Sequence, residues 1–192
     1  MTKDQTNNSL NSHERIFDLV LEICSYIETI DSVIDIDAII SSFVNKIAEL
    51  FKINRVSCML IDEAKGQLYL KAACGFDSSV TNVAIKLGDS FAGKVAKEGE
   101  PFLVKNVRAE FPELGEERLS RYLSNSFMIV PLKTRDRVVG VLSLTDKKDK
   151  NGFSEYDLRT INFIGQHLAL YIENIRLSDS NKSLSNVDPL TN

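Results

Sequence analysis

The chain has 192 residues, of which 43% are hydrophobic, and a formal net charge of −4 at pH 7. This length and apolar content predict one domain with helical extensions. The acidic balance argues against a broad basic surface for nucleic acid, and no apolar run approaches the roughly eighteen residues that a membrane span needs. The first twelve residues are polar, unlike a signal peptide, so the sequence predicts a cytoplasmic protein.

The N-terminal part of the chain predicts a leader and two helices. Residues 1–12 are expected to be disordered. Segment 13–31 has apolar residues at alternating spacings of four and three, which is typical of a short heptad seam and predicts a dimerisation helix. Its seam consists of Ile16, Val20, Ile23, Ile27 and Ile30. A second helix, from about Asp35 to Phe51, has a wider apolar face suited to packing on a sheet.

The middle of the chain predicts short strands separated by turns. Alternating apolar residues and turn residues place six strands at 55–62, 67–73, 83–87, 101–107, 126–133 and 137–145. Between the third and fourth strands, Ser90 begins a short helix that Gly99 closes. The charged stretch 108–125 is expected to be a mobile loop with a short helix.

The last forty residues predict a long helix that continues beyond the globular body. Ser154 is the expected N-cap, and one apolar series faces the body: Leu158, Ile161, Ile164, Leu168, Ile172 and Ile175. A second series recurs every seven residues and predicts a coiled-coil seam of Phe163, Leu170, Leu177 and Leu184. The order of elements predicts an α+β fold. A mostly antiparallel sheet carries the N- and C-terminal helices on one face, and a short helix with loops on the other.

Three separate motifs carry a family resemblance. Segments 90–104, 126–144 and 153–174 resemble, in order and spacing, the central helix and strand, the closing hairpin and the last helix of GAF domains. The resemblance implies a GAF domain at 35–177 that acts as a sensor or dimerisation module. GAF domains bind many unrelated small molecules, and some bind none.

A second resemblance lies at the end of the chain. Residues 188–192 (Asp-Pro-Leu-Thr-Asn) resemble the opening of a GGDEF domain, the diguanylate cyclase module, and 178–187 precede them as a helical linker. This resemblance implies that the chain is the non-catalytic, regulatory half of a longer signalling protein. Because diguanylate synthesis joins two nucleotides, it also implies a homodimer through the N- and C-terminal helices. A ligand-free dimerisation scaffold is the alternative.

A signature of cyclic-nucleotide-binding GAF domains is partly present. It runs Asn-Lys, then Phe, then Asp-Glu, and its places are taken here by Asp146-Lys147, Phe153 and Asp157-Leu158. Lysine, phenylalanine and aspartate therefore match, whereas asparagine is replaced by aspartate and glutamate by leucine. An ion pair between Lys147 and Asp157 is expected to brace the strand end against the helix. The cofactor is left unknown, because cyclic-nucleotide binding stays open and no haem, bilin or metal motif is present.

A small-molecule pocket is expected between the sheet and the segment 76–125. Its predicted residues are the walls Phe76, Phe91, Phe111, Tyr122 and Phe127 and the anionic-group anchor Arg108. The alternative is that these aromatic residues complete the core.

An enzymatic alternative comes from the GAF-type methionine sulfoxide reductases, which use cysteines around the pocket. The chain has three cysteines, Cys24, Cys58 and Cys74, with no Cys-x-x-Cys spacing. Cys58 is predicted to be a small core residue, and Cys74 to be the more exposed thiol.

Overall fold

The computed structural model describes residues 36–77, 83–115, 124–149 and 151–185, with side chains of the last helix described to residue 178. The predicted leader and dimerisation helix at 1–31, and the GGDEF-like residues 188–192, lie outside the described residues. From Ile36 onward the chain forms one compact unit.

The elements follow the predicted order. They are α1 (Ile36–Leu50), β1 (Ile53–Asp62), β2 (Gln67–Cys74), β3 (Ala84–Lys86), α2 (Ser90–Glu98), β4 (Phe102–Val104), α3 (Val107–Glu110), β5 (Phe127–Lys133), β6 (Val138–Lys147) and α4 (Glu155–Ser185). The fourth strand is shorter than predicted, because Asn106 caps α3 by accepting a hydrogen bond from the Ala109 amide at 3.3 Å. Gly99 closes α2 in a left-handed conformation, with φ of 70°.

The six strands form one sheet in the order β3-β2-β1-β6-β5-β4. Every neighbouring pair is antiparallel. The predicted mostly antiparallel α+β fold is therefore confirmed. The strands β1 and β6 lie at the centre, and their register places Ser57 opposite Ser143 and Cys58 opposite Leu142.

The two faces of the sheet carry different helices. On one face α1 packs against β1 and β2, and α4 packs against β5 and β6. On the other face α2 packs against the sheet through Val95 and Ala96, which share an apolar cluster with Met59 and Val141. Because strand residues alternate between faces, Arg55 and Ser57 lie on the same face as Met59.

Helix α4 begins with the predicted cap. The Ser154 Oγ accepts a hydrogen bond from the Asp157 amide at 3.1 Å, and the Asp157 Oδ2 accepts one from the Ser154 amide at 2.8 Å. This reciprocal pair satisfies two amides that the first helical turn leaves without partners. Five of the six residues predicted to face the body are buried, and Leu158 is half-buried. The last of the buried residues is Ile175.

A close approach between the two central strands requires glycine at position 140. A Cβ atom built on Gly140 would lie 2.3 Å from the Met59 carbonyl oxygen, which is backbone and cannot rotate away. The strands would therefore have to separate to admit any side chain.

We expect Gly140→Ala to lower the free energy of unfolding by about 2 kcal/mol, the usual cost of overpacking a core. Urea unfolding followed by circular dichroism measures the loss. Gly115→Ala is the matched control, because no heavy atom of the described residues lies within 4 Å of the added Cβ. Equal unfolding midpoints for the two variants would show that position 140 does not require glycine.

Candidate functional site

The end of β6 is joined to the start of α4 by the predicted ion pair. The Lys147 Nζ lies 2.8 Å from the Asp157 Oδ2, and the two side chains are 14% and 12% exposed. The Lys147 Nζ also lies 5.8 Å from the centre of the Phe153 ring. The three matching residues of the partial signature thus meet at one point and brace the strand against the helix.

The residue before this lysine makes a second ion pair, which was not predicted. Asp146 is 1% exposed, and its carboxylate pairs with the Arg55 guanidinium. The same carboxylate accepts hydrogen bonds from the Ser124 amide at 2.7 Å and from the Thr145 hydroxyl at 3.3 Å. A buried carboxylate needs such partners to remain charged. Asp146 therefore ties the start of β1 and residue 124 to the end of β6.

Arg55 also belongs to a group of polar residues at the centre of the sheet. In the register of β1 and β6, Arg55 lies opposite Thr145 and Ser57 lies opposite Ser143. All four residues are half-exposed, although their strands are central. We call Arg55, Ser57, Ser143 and Thr145 the polar patch. It occupies the α2 side of the sheet, next to the apolar cluster.

Three of the predicted pocket residues meet in a cluster of phenylalanines. The Phe91 ring lies 4.9 Å from Phe111, 5.3 Å from Phe127 and 5.4 Å from Phe102, measured between ring centres. These are contact distances, at which each aromatic pair adds about 1 kcal/mol beyond its buried area. The rings therefore pack on one another between α2, β4 and β5. The sequence did not single out Phe102.

The other predicted pocket residues lie elsewhere. Phe76 is 36% exposed, and the guanidinium carbon of Arg55 lies 5.7 Å from its ring centre. Arg108 is exposed on α3. Tyr122 lies outside the described residues. Phe76 therefore lies beside the polar patch. The arginine near it is Arg55 on β1, whereas the sequence predicted Arg108 as the charged residue of the pocket.

The two described cysteines differ in environment, as predicted. Cys58 is fully buried, and this burial raises the pKa of its thiol to about 12. Cys74 is half-buried at the end of β2. In the described part of the chain, no three His, Cys, Asp or Glu side chains are grouped to hold a metal ion. None of the described helices is long and apolar enough to cross a membrane.

The outer side of α4 carries an exposed apolar stripe. Tyr156, Phe163, Leu170 and Leu177 recur every seven residues, and they are 38%, 50%, 50% and 55% exposed. His167 lies beside them, with its Nδ1 3.0 Å from the Phe163 carbonyl oxygen. We call the four apolar residues the α4 stripe.

A three-way ion pair holds α4 near the end of its contact with the body. Arg137, in the turn between β5 and β6, donates from Nη2 to both carboxylate oxygens of Glu173, at 2.8 and 2.9 Å. Its Nη1 donates to Glu63, in the turn between β1 and β2. The hydrogen bond with Glu173 is the main reason that the pKa of Arg137 is raised. We call these three residues the Arg137 clamp.

Comparisons with solved structures show the same fold. The GAF domain of a phosphoenolpyruvate-protein phosphotransferase from Coxiella burnetii superposes with a TM-score of 0.74 at 17% identity, covering 90% of this chain and 99% of that one. The corresponding Acinetobacter domain gives 0.69 at 23% identity, covering 88% and 97%. Free methionine-R-sulfoxide reductase from Neisseria meningitidis gives 0.67 at 21% identity, covering 85% and 91%.

No curated protein is significantly similar in sequence to the whole chain. The sequence model of the GAF domain does match it, over residues 35–172. This range includes the described sheet, the polar patch and most of the part of α4 that packs on the body. The chain belongs to the GAF domain family.

Proposed function

We propose that this chain is the regulatory GAF domain of a cytoplasmic signalling protein. It works as a homodimer and passes a signal along α4 to a diguanylate cyclase domain. The α4 stripe is the observation that carries this proposal. The resemblance of residues 188–192 to the start of a GGDEF domain supports the identity of the output.

The α4 stripe lies on the side of the helix opposite the buried residues. At 100° per residue, positions seven apart drift by only about 20°, so the stripe forms nearly one line along the helix. Exposed leucine and phenylalanine at such a spacing are typical of helices that pack against a partner helix. Among the described side chains, which end at residue 178, Ile175 is the last buried one, and the helix continues to Ser185. It is therefore suited to carry a signal away from the body.

A second copy of the chain is the partner that fits the stripe best. The alternate seam positions of the same heptads hold His167 and Asn174, both of which are exposed. Asparagine at a seam position lowers the stability of the pair. A parallel pair would bring two cyclase domains together. The weak seam would allow a second register of similar free energy, and a bound ligand would shift the balance by a few kcal/mol.

We expect Leu170→Glu combined with Leu177→Glu to convert the dimer of two 21.5 kDa chains to folded monomers, because four like charges would face each other in the seam. Light scattering at micromolar concentration measures the mass, and circular dichroism checks the fold. Fused through α4 to a GGDEF catalytic domain, the wild-type chain is expected to support cyclic di-GMP synthesis that this variant loses.

Lys94→Glu is the control for that experiment, because Lys94 is exposed on α2 and the change in charge is larger per site. It should leave the dimer intact. A dimer that persists in the double variant would show that association does not run through the α4 stripe, and would contradict the proposal.

The Arg137 clamp supports a route by which the body controls α4. It joins both turns at one end of the central strands to Glu173, two residues before the buried Ile175. A shift in these turns would therefore move the helix where it leaves the body. Because the Arg137 side chain is 40% exposed, the clamp contributes at most about 1 kcal/mol to stability. We infer that the clamp mainly fixes the position of α4 relative to the two turns.

We expect Arg137→Gln to speed amide hydrogen exchange several-fold in residues 173–185 and to leave 158–168 unchanged, because the clamp acts only at the exit of the helix. Lys133→Gln is the matched control, since Lys133 lies in the same hairpin but donates to the Gly99 carbonyl at 3.0 Å. If exchange in residues 173–185 rises equally in both variants, or in neither, the Arg137 clamp does not hold the exit of α4.

The thiols bear on the enzymatic alternative. A reductase that attacks methionine sulfoxide needs a cysteine that ionises near neutral pH. Burial raises the pKa of the Cys58 thiol to about 12, so the thiol is protonated at pH 8. The environment of Cys58 is therefore that of a core residue. At 21% identity, the likeness to the Neisseria reductase is one of fold.

We expect iodoacetamide at pH 8 to label Cys74 in the folded chain and to leave Cys58 unlabelled, because burial disfavours the thiolate. Peptide mass spectrometry reads the two sites separately. Labelling in urea is the control, and both cysteines should then react. If Cys58 reacted as fast as Cys74 without urea, the environment assigned to Cys58 would be wrong.

A further inference from the structure

The imidazole of His167 lies beside the α4 stripe. His167 follows Phe163 by four residues and precedes Leu170 by three, which is the alternation of a heptad seam. Its side chain is exposed, and its ring centre lies 4.4 Å from the ring centre of Phe163. The imidazole is therefore part of the surface that a second α4 would cover.

One hydrogen bond fixes which nitrogen of His167 gains a proton. The Nδ1 atom lies 3.0 Å from the Phe163 carbonyl oxygen. Because a carbonyl oxygen can only accept, Nδ1 carries the hydrogen and donates it. In the neutral ring, Nε2 is then the nitrogen without a hydrogen, and the proton that makes the ring an imidazolium binds there. Protonation therefore adds a positive charge at the seam without breaking the bond to Phe163.

The surrounding part of α4 carries no carboxylate that could balance this charge. Between Arg159 and Glu173 the helix has no Asp, Glu, Lys or Arg. The other titratable residue of this stretch is Tyr171, and burial raises the pKa of its phenol, so Tyr171 stays neutral. Within the described length of the helix, an imidazolium at position 167 is therefore balanced by solvent and counter-ions.

The ion pairs that the described residues form between α4 and the body lie on either side of this stretch. They are Lys105 with Glu155, Lys147 with Asp157, and Arg137 with Glu173. Each of the three carboxylates on α4 thus has a cation of the body as its partner. The charges that reach the helix from the strands and turns beneath it are held at 155–157 and at 173, away from His167.

We propose that His167 makes the α4 dimer sensitive to acid, because the seam accommodates two neutral imidazoles and is opened by two imidazoliums. The inference rests on the proposed homodimer through the α4 stripe, and it adds the proton as a signal that the dimer detects. In a parallel pair, the same residue of each chain meets its copy across the axis. The two charges would therefore lie in one layer, between the apolar layers of Phe163 and Leu170.

The direction of the pH effect follows from the number of protons bound. Repulsion within the layer and the loss of water both disfavour the charged rings in the dimer. Histidine ordinarily titrates near about pH 6.5, so below this pH free monomers bind protons that the dimer has to release. The stability of the dimer is therefore complete above this range and is lost as the pH falls through it.

The test is the dissociation constant of the full 192-residue chain, measured by sedimentation equilibrium at two pH values. Between about pH 7.5 and about pH 6, carboxylates stay ionised and histidine changes its charge. The chain has only two histidines, His13 and His167, which limits the groups that can respond. We expect the dissociation constant to rise about tenfold at the lower pH, because formation of each dimer then releases up to two protons.

Three variants separate the charge of His167 from its other properties, and circular dichroism checks that each is folded. His167→Gln keeps a polar side chain that cannot become charged, so its dissociation constant should be equal at the two pH values. His167→Lys is charged at both, so at the higher pH it should be at least as weak a dimer as the wild type is at the lower one. His13→Gln is the matched control and should keep the wild-type response.

Three results would overturn the proposal while leaving the homodimer in place. They are a dissociation constant that does not change with pH, a change of equal size in His167→Gln, and a dimer that becomes tighter at the lower pH. The last result would mean that a carboxylate pairs with the imidazolium; Asp18 and Glu22, in the predicted dimerisation helix outside the described residues, are the candidates. A wild-type chain that is monomeric at both pH values would contradict the proposed function, and this inference with it.

Discussion

Two consecutive residues at the end of β6 hold the described structure together. Asp146 pairs with Arg55 and Ser124, and Lys147 pairs with Asp157 in the first turn of α4. Both ion pairs are largely buried, so removal of one partner would leave an uncompensated charge at a cost of about 3–5 kcal/mol. The central strand is thereby fastened to β1, to residue 124 and to α4. Any movement of the sheet at this end must therefore involve the start of the helix.

The same two residues belong to the partial cyclic-nucleotide signature. The chain departs from that signature at Asp146 and matches it at Lys147. Asp146 has φ of 60°, in the left-handed region that asparagine and aspartate tolerate better than other residues. Aspartate is therefore suited to this backbone conformation, and its carboxylate pairs with Arg55. The Lys147 to Asp157 pair is retained. In this chain the matching residues act as a brace between strand and helix.

The phenylalanine cluster and the polar patch lie on one side of the sheet, and the α4 stripe lies on the other. On the α2 side of the sheet, the phenylalanine rings pack together, whereas the polar patch beside them is half-exposed. On the other side, α4 buries one face and exposes the α4 stripe on its opposite face. The helix is held at its start by Asp157 and near its exit by Glu173. Both of these ion pairs involve the strand β6 or the turn that precedes it, and they add to the apolar packing of α4 on the sheet.

The sequence by itself determined the elements and the two sides of α4, because periodicity along a helix or strand fixes which residues share a face. It also located Ser154 as a cap and Cys58 as a core residue, since both depend on near neighbours. Only the tertiary structure paired Arg55 with Asp146, 91 residues away. It also added Phe102 to the phenylalanine cluster and aligned Ser57 with Ser143. These contacts depend on strand register and order, which arise from the packing of the whole sheet and leave no periodic trace in the chain.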